Sequence, residues 1–332
     1  MKYAQLGRSG LSVSRLSLGT MNFGPVTDGP TAHRILDRAR EHGINLVDTA
    51  DVYGAHATKQ VYGNEPEKGR TEEIIGRWLA QSAGRRDEVV LSTKVYGAMG
   101  AGPNDIYLSA KHIRQACDAS LRRLGTDYLD LYLLHHVDRR TPWEEIWDAL
   151  SILRAQGKVL YFGTSNHAAW QLAQGQETAR RLGQFGFVAE QSIYNLKERT
   201  LELEVLPACR AYGVGVMPYS SLHGGLLAGV LAKQDANRSA SGRAAAGLAE
   251  DAEQIERYER FCEKLGHHPA QVALAWLLHQ EGVATLPLGI RTVEQLDRSV
   301  GALDIALDDA ALAELDDIFP GPGGPAPEAY AW

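Results

Sequence analysis

The stretch NLVDTADVY, residues 45–53, decides how this chain is read. Its first half is an apolar run ending on a carboxylate, Asp48, and its second half turns polar and carries Tyr53. Lys94 closes the next apolar run, VVLSTK, 41 residues after Tyr53, and His135 closes LDLYLLH another 41 residues on. One strand and one helix of a parallel barrel take about that much chain, so each polar group stands at the carboxyl end of its own buried strand, where such barrels build active sites. Asp48 and Tyr53 are five residues apart and cannot share one face of a regular strand. One ends the strand, the other belongs to the loop that follows.

Working outward, short apolar runs alternate with amphipathic stretches along the whole chain. The runs are LSLGT (16–20), NLVDTA (45–50), VVLSTKV (89–95), LDLYLLH (129–135), YFGTSN (161–166), FVAEQSIY (187–194), VGVMPYS (214–220) and ATLPLG (284–289). Continuous apolar runs suit strands buried on both faces of a parallel sheet. The segments between them read as helices at 30–42, 71–81, 109–124, 142–156, 168–182, 201–212 and 293–302. Thr71 before Glu72 and Glu73, and Thr141 before Pro142 and Glu144, look like helix starts, the second as a capping box. The expected fold is α/β, a (β/α)8 TIM barrel formed by residues 1–332 as a single domain. An N-terminal β-hairpin (YAQLGRSGLSVSRL), an additional helix in the 220–285 insertion and a Pro/Gly-rich C-terminal tail complete it. A doubly wound sheet is the alternative, but no GxGxxG follows the first strand. Residues 54–70 read as a flap beside the mouth, longer than most strand-to-helix connections.

The 332 residues are 44% hydrophobic and 23% charged, with a net charge of −7. That balance disfavours a broad nucleic-acid or anionic-membrane surface. No 18-residue apolar stretch occurs, and MKYAQLGRSG lacks the apolar core of a signal peptide. Cys117, Cys209 and Cys262 are odd in number and fall in helical segments, which suits buried thiols in a reducing cytoplasm. Self-association into a homo-oligomer stays open.

A free tyrosine, with a pKa near 10, is a poor acid at neutral pH. An adjacent ammonium lowers that value, and a carboxylate holds the ammonium in place. Asp48, Lys94 and Tyr53 supply these parts, and His135 is suited to orienting a substrate oxygen. None of the four is a strong nucleophile or redox centre, so chemistry of this kind needs a hydride donor from outside the chain. An isolated Asp–Lys pair is more often a structural ion pair. The weight here comes from four polar groups on three consecutive strands.

The motifs DTADVYG (48–54), STK (92–94), DLYLLHH (130–136), GTSN (163–166), EQSIYN (190–195), PYSSLHGGLL (218–227) and GIRTVEQL (289–296) together resemble the aldo-keto reductase family over nearly the whole chain. The resemblance implies NADP(H) lying across the carboxyl face of the barrel and hydride transfer to a small-molecule carbonyl substrate. It implies Tyr53 as general acid, Lys94 and Asp48 as its tuners, and His135 as the substrate-orienting group. Ser165, Asn166 and Gln191 match the groups that bind the nicotinamide carboxamide, and Tyr219 the ring that stacks on the nicotinamide. Ser220, Leu222 and Gly224 match the pyrophosphate loop, and Gly19, Thr20 and Met21, with Asp48, the segment near ribose and nicotinamide. Gly289, Arg291 and Gln295 match the adenosine 2′-phosphate section, where a guanidinium favours NADP over NAD. Many relatives have Pro and Gly where this chain has Ser221 and His223, and Glu-Asn where it has Arg298-Ser299.

TEEIIGRWLA, TKVYGAMGAGPND, HHVDRRTPWEEIW and GPGGPAPEAYAW look like actinobacterial members tied to deoxysugar-nucleotide pathways, which points to a keto-sugar substrate. Met21, Phe23, Tyr96, His136, Tyr330 and Trp332 are the expected pocket residues. A redox-sensing regulatory subunit, as in the similar potassium-channel β-subunits, is the alternative role. No metal is expected, because adjacent residues such as His135 and His136 point to opposite faces of a strand and no third ligand stands at metal spacing.

Overall fold

The computed structural model describes residues 1–55, 67–231 and 242–326. Most of the expected flap at 54–70, the first part of the small-residue tract near 236–247, Tyr330 and Trp332 lie outside the described residues.

Strands β1 (Tyr3–Gln5) and β2 (Ser12–Ser14) form the antiparallel hairpin. Eight parallel strands follow: β3 (Leu16–Gly19), β4 (Leu46–Asp48), β5 (Val90–Val95), β6 (Leu129–Leu134), β7 (Val159–Ser165), β8 (Phe187–Gln191), β9 (Gly215–Val216) and β10 (Leu286–Gly289). Their order in the sheet is β10-β3-β4-β5-β6-β7-β8-β9. A parallel bridge between Val216 and Val283, with the Ala284 amide donating to the Val216 carbonyl at 2.8 Å, joins the two edges. The (β/α)8 expectation holds.

The helices between strands are α1 (Gly29–Glu41), α2 (Arg70–Leu79), α3 (Ala110–Leu124), α4 (Trp143–Ala155), α5 (Ala169–Arg181) and α6 (Val205–Tyr212). Among the described residues, the interval between β9 and β10 holds two, α7 (Gly242–Leu265) and α8 (Pro269–His279), so one is additional to the barrel repeat. After β10 come α9 (Val293–Val300) and α10 (Asp309–Ile318). The last of these was not among the expected helices, although Asp308 caps it through the Ala311 amide.

Both Thr-based helix starts are corrected. The residue before α2 is Gly69, at φ 84°, and the Thr71 hydroxyl instead donates to the Phe23 carbonyl at 2.7 Å. Pro142 precedes α4 without a side-chain cap, and the Thr141 hydroxyl donates to Asp138 at 2.8 Å. In each case the hydroxyl donates elsewhere, Thr71 to a carbonyl 48 residues away and Thr141 to a carboxylate three residues back, and does not cap the helix.

The barrel interior below the mouth is filled by Leu46, Leu131, Leu133, Val188 and Met217, and the hairpin contributes Leu6 and Val13 from beneath. Gly7, at φ 57°, lies so close to the strand ends that a Cβ there would meet the Gly213 and Val188 carbonyl oxygens at 2.5 Å. The Arg8 amide donates to the Gly213 carbonyl at 2.7 Å. The floor is therefore sealed, and the strands open only at their carboxyl ends. All three cysteines are buried and free.

Candidate active site

Asp48 is the last residue of β4, and Tyr53 follows in the loop. Lys94 is fully buried on β5 and donates to Asp48 Oδ2 at 2.7 Å, to the Thr49 carbonyl at 2.8 Å and to the Tyr53 hydroxyl at 3.4 Å. Ser92, two residues earlier on the same strand, donates to Asp48 Oδ1 at 3.0 Å. The carboxylate is thus fixed by both oxygens. The Thr20 hydroxyl holds the Asp48 carbonyl at 2.9 Å. The His135 ring meets the Tyr53 ring edge-on, with centroids 5.9 Å apart. The sequence brings these four residues together as the spacing implied.

The electrostatics differ from the sequence expectation. Burial pushes the Tyr53 phenol above its ordinary pKa, because desolvation outweighs the stabilisation that Lys94 gives the phenolate. Burial pulls the Lys94 ammonium down, but Asp48 and Tyr53 outweigh it and hold the ammonium above its ordinary value. Burial, then the charge of Lys94, holds His135 well below its ordinary value, so its imidazole is neutral at pH 7. The cluster is a protonated phenol beside a firmly charged ammonium and a neutral imidazole.

His135 and His136 do not splay to opposite faces; their rings stack, 5.0 Å apart and 15° from parallel. Strand β6 ends at Leu134, so the alternation of a strand no longer governs them. Among the described residues no cluster of three or more His, Cys, Asp or Glu stands where it could hold a metal ion.

On the other side of the mouth, Asn166 sits at φ 61° directly after β7. Its amide nitrogen donates to the His135 carbonyl at 3.1 Å and to Ser165 Oγ at 3.0 Å, and its oxygen accepts from the Tyr219 hydroxyl at 2.9 Å. Gln191 ends β8 with a buried Nε2 that has no partner among the described residues. Ser220, His223 and Gly224 all have positive φ, at 57°, 46° and 67°, and Leu222 lies between them. A loop with several left-handed residues turns backbone amides toward one point, as anion-binding loops do. Gly289, the last residue of β10, and Arg291, just beyond it, are exposed, and Gln295 Oε1 accepts from the Arg291 amide at 2.9 Å.

Met21 is half-buried beside Ala50, Val52 and Tyr53. Tyr96 and His136 line a cavity of about 510 Å3 that also reaches Asn166. Phe23 is fully buried in the main core and offers no surface to a pocket.

Sequence reasoning missed two buried acids behind the site. Asp51 is fully buried with no well-formed hydrogen bond on either carboxylate oxygen among the described residues. Burial, then the charge of Glu72, holds its carboxyl well above the usual range. Glu190, fully buried on β8, accepts from the hydroxyls of Thr164 and Ser192 and from the His167 amide, and burial pushes it up to about 7. A Glu beside Gln191 in a run as apolar as FVAEQ was the available signal.

Residues 15–319 match the profile of the aldo/keto reductase family. The chain belongs to this family. It is 48% identical over 336 residues, covering 100% of both chains, to a Bacillus subtilis protein named uncharacterized oxidoreductase YrpG. It is 34% identical over 315 residues, 92% of each chain, to a probable voltage-gated potassium channel subunit beta of Arabidopsis thaliana. It is 32% identical over 348 residues, 96% of this chain and 97% of the other, to versiconal hemiacetal acetate reductase of Aspergillus parasiticus. As an aldo/keto reductase the chain is an oxidoreductase. No helix among the described residues is long and apolar enough to cross a membrane.

Proposed function

We propose that residues 1–332 act as one NADPH-dependent carbonyl reductase, with Tyr53 as the general acid and a keto-sugar, free or carried on a nucleoside diphosphate, as substrate. The observation that carries this reading is the contact of Lys94 with both Asp48 and the Tyr53 hydroxyl, at 2.7 and 3.4 Å, opposite His135. The residues present fit a nicotinamide: the unpartnered Gln191 Nε2 is a buried donor suited to a carboxamide oxygen, and the Tyr219 ring is held in place by Asn166. Ser165 and Asn166 complete that side, Ser220, Leu222 and Gly224 would hold the pyrophosphate, and Gly19, Thr20 and Met21 border the ribose. Arg291, with Gly289 and Gln295, would take the 2′-phosphate. When bound, the reduced cofactor supplies the hydride.

The remaining work belongs to the chain. Neutral His135 donates to the substrate oxygen without competing for its proton. Tyr53 delivers its proton to that oxygen as negative charge develops there. Lys94, kept charged by Asp48, then stabilises the phenolate left behind. The raised phenol is the acid's resting state, and it keeps Tyr53 protonated until a substrate arrives.

The test is turnover of a panel of aldehydes, ketones and keto-sugars with NADPH and NADH in parallel. Tyr53→Phe should lose at least 100-fold in kcat, of the order that a positioned acid contributes, while the melting temperature hardly moves. Equal turnover by wild type and variant would sink the assignment. The likeness to the channel β-subunits supports a second reading, an NADP(H)-binding regulatory subunit. It predicts tight NADPH binding with negligible turnover on every carbonyl.

A further inference from the structure

The cavity beside Asn166 and His136 carries a charge pattern that carbonyl reduction alone does not use. Its wall includes Arg139 and Arg140, both exposed, just past the carboxyl end of β6. Arg139 has no ion-pair or hydrogen-bond partner among the described residues. Arg140 spends only its Nε on Asp138, at 3.3 Å. Asp138 is turned inward: it also accepts from the Leu108 amide at 3.1 Å, the Arg140 amide at 3.0 Å and the Thr141 hydroxyl at 2.8 Å. One carboxylate, already saturated, shares this wall with two arginines in a chain whose net charge is −7.

The opposite wall is the start of α5. Its N-cap is Ala168, which offers no side-chain acceptor to the first turn, and Gln171 Oε1 reaches back to accept from the Ala168 amide at 3.2 Å. Ala168 and Gln171 both line the cavity, so the first turn of a 13-residue helix borders the same space as the two arginines. The positive end of a helix dipole and guanidiniums favour the same ligand, a multi-oxygen anion.

The rim is also pre-set. Tyr107 is held at φ 76°, a strained value for an aromatic residue, with its amide donating to the Tyr96 carbonyl at 2.7 Å. The Arg140 guanidinium lies 3.4 Å from the centre of the Tyr107 ring. From there a run of rings leads inward: Tyr107 to Tyr96 at 5.5 Å, Tyr96 to His136 at 5.2 Å, and His136 to His135 at 5.0 Å. The cationic rim and the oxygen-orienting histidine are ends of one packed wall.

We propose that this cavity binds a phosphate-type anion of the substrate, so that the carbonyl compound reduced at Tyr53 is a phosphorylated one, anchored between Arg139, Arg140 and the first turn of α5. The proposal rests on the reductase reading for its substrate, and its volume of about 510 Å3 admits a group larger than one phosphate.

The test uses the full chain saturated with NADPH. Kinetics are compared for a neutral aldehyde, its phosphate ester and a carboxylated aldehyde in wild type, Arg139→Gln, and Arg139→Gln/Arg140→Gln. Inorganic pyrophosphate serves as inhibitor and, by calorimetry, as ligand. The expected result is a lower KM for the phosphate ester than for the other two, and a loss of that preference by tenfold or more in the double variant. Pyrophosphate should compete with the aldehyde, and its binding should weaken at least tenfold in the double variant and measurably in Arg139→Gln, which gives up no internal partner. Preference for the carboxylated aldehyde, equal loss on all three substrates, or pyrophosphate competing with NADPH alone would overturn it. Should the folded chain reduce no carbonyl, the reductase reading fails. The calorimetry then decides the site: binding lost in the double variant supports it, and unchanged binding rejects it.

Discussion

The two ends of this barrel obey opposite rules. At the floor, the hairpin drives Leu6 and Val13 into an apolar plug, and the Gly7–Arg8 backbone meets Gly213 and Val188 at close quarters. At the mouth, Asn166, Ser220 and His223 sit at positive φ, and the buried nitrogens Gln191 Nε2 and His135 Nδ1 lack partners among the described residues. The floor is closed by packing; the mouth has left polar groups for a visitor. Burial at the floor stabilises the fold, whereas burial at the mouth tunes acids and bases at some expense to it.

Lys94→Met should break the mouth most severely. It removes the charge that offsets burial at Tyr53 and strands Asp48 as a buried carboxylate, so carbonyl reduction should fall by roughly 1,000-fold or more. A variant that keeps turnover within tenfold of wild type would refute the coupling.

Gly7→Ala should break the floor instead. The added Cβ would sit 2.5 Å from two carbonyl oxygens at φ 57°, a combination of strain and overpacking worth roughly 3 kcal/mol. The melting temperature should drop by about 4 °C, while kcat of the folded fraction stays near wild type. A drop in kcat without a change in melting temperature would erase the division between the two ends.

Glu190→Gln gives the smallest and most diagnostic effect. The Glu190 carboxyl stands at about 7 in the folded chain against an ordinary 4.5. The unfolded chain therefore releases this proton first, and stability is lost as pH rises from the lower value through the higher one. The variant lacks that loss, so its stability relative to wild type should improve by on the order of 2 kcal/mol between pH 5 and pH 8. Denaturant titrations at the two pH values measure it, and a difference that does not change with pH would remove Glu190 from the account.

The same division explains what the sequence disclosed. All eight strands were legible because a strand buried on both faces reads as an unbroken apolar run, and the tetrad was legible because Asp48, Lys94 and His135 stand at the ends of such runs and Tyr53 follows in the next loop. Local polar signals were misleading where the hydroxyl had another acceptor, distant in sequence at Thr71, drawn to Phe23, and three residues back at Thr141, drawn to Asp138. The pKa direction at Tyr53 was hidden because proximity to Lys94 can be inferred from spacing, whereas the depth of burial cannot. Left-handed backbone at Ser220 and His223 was invisible for a similar reason: no glycine marks it. Arg139 and Arg140 carried another overlooked clue, two adjacent cations just past a barrel strand's carboxyl end.

The hairpin that stoppers the floor also sets a timetable for folding. Arg8 waits for Gly213 and Phe185, and Lys2 reaches the Leu303 carbonyl, 301 residues away. The opening residues of the chain thus find their permanent neighbours only after most of the ring has been synthesised. Contacts this distant slow folding and leave partly built rings with bare sheet edges in the meantime. The hairpin is the first element made and among the last to be seated, which makes its docking the natural final step in closing the ring.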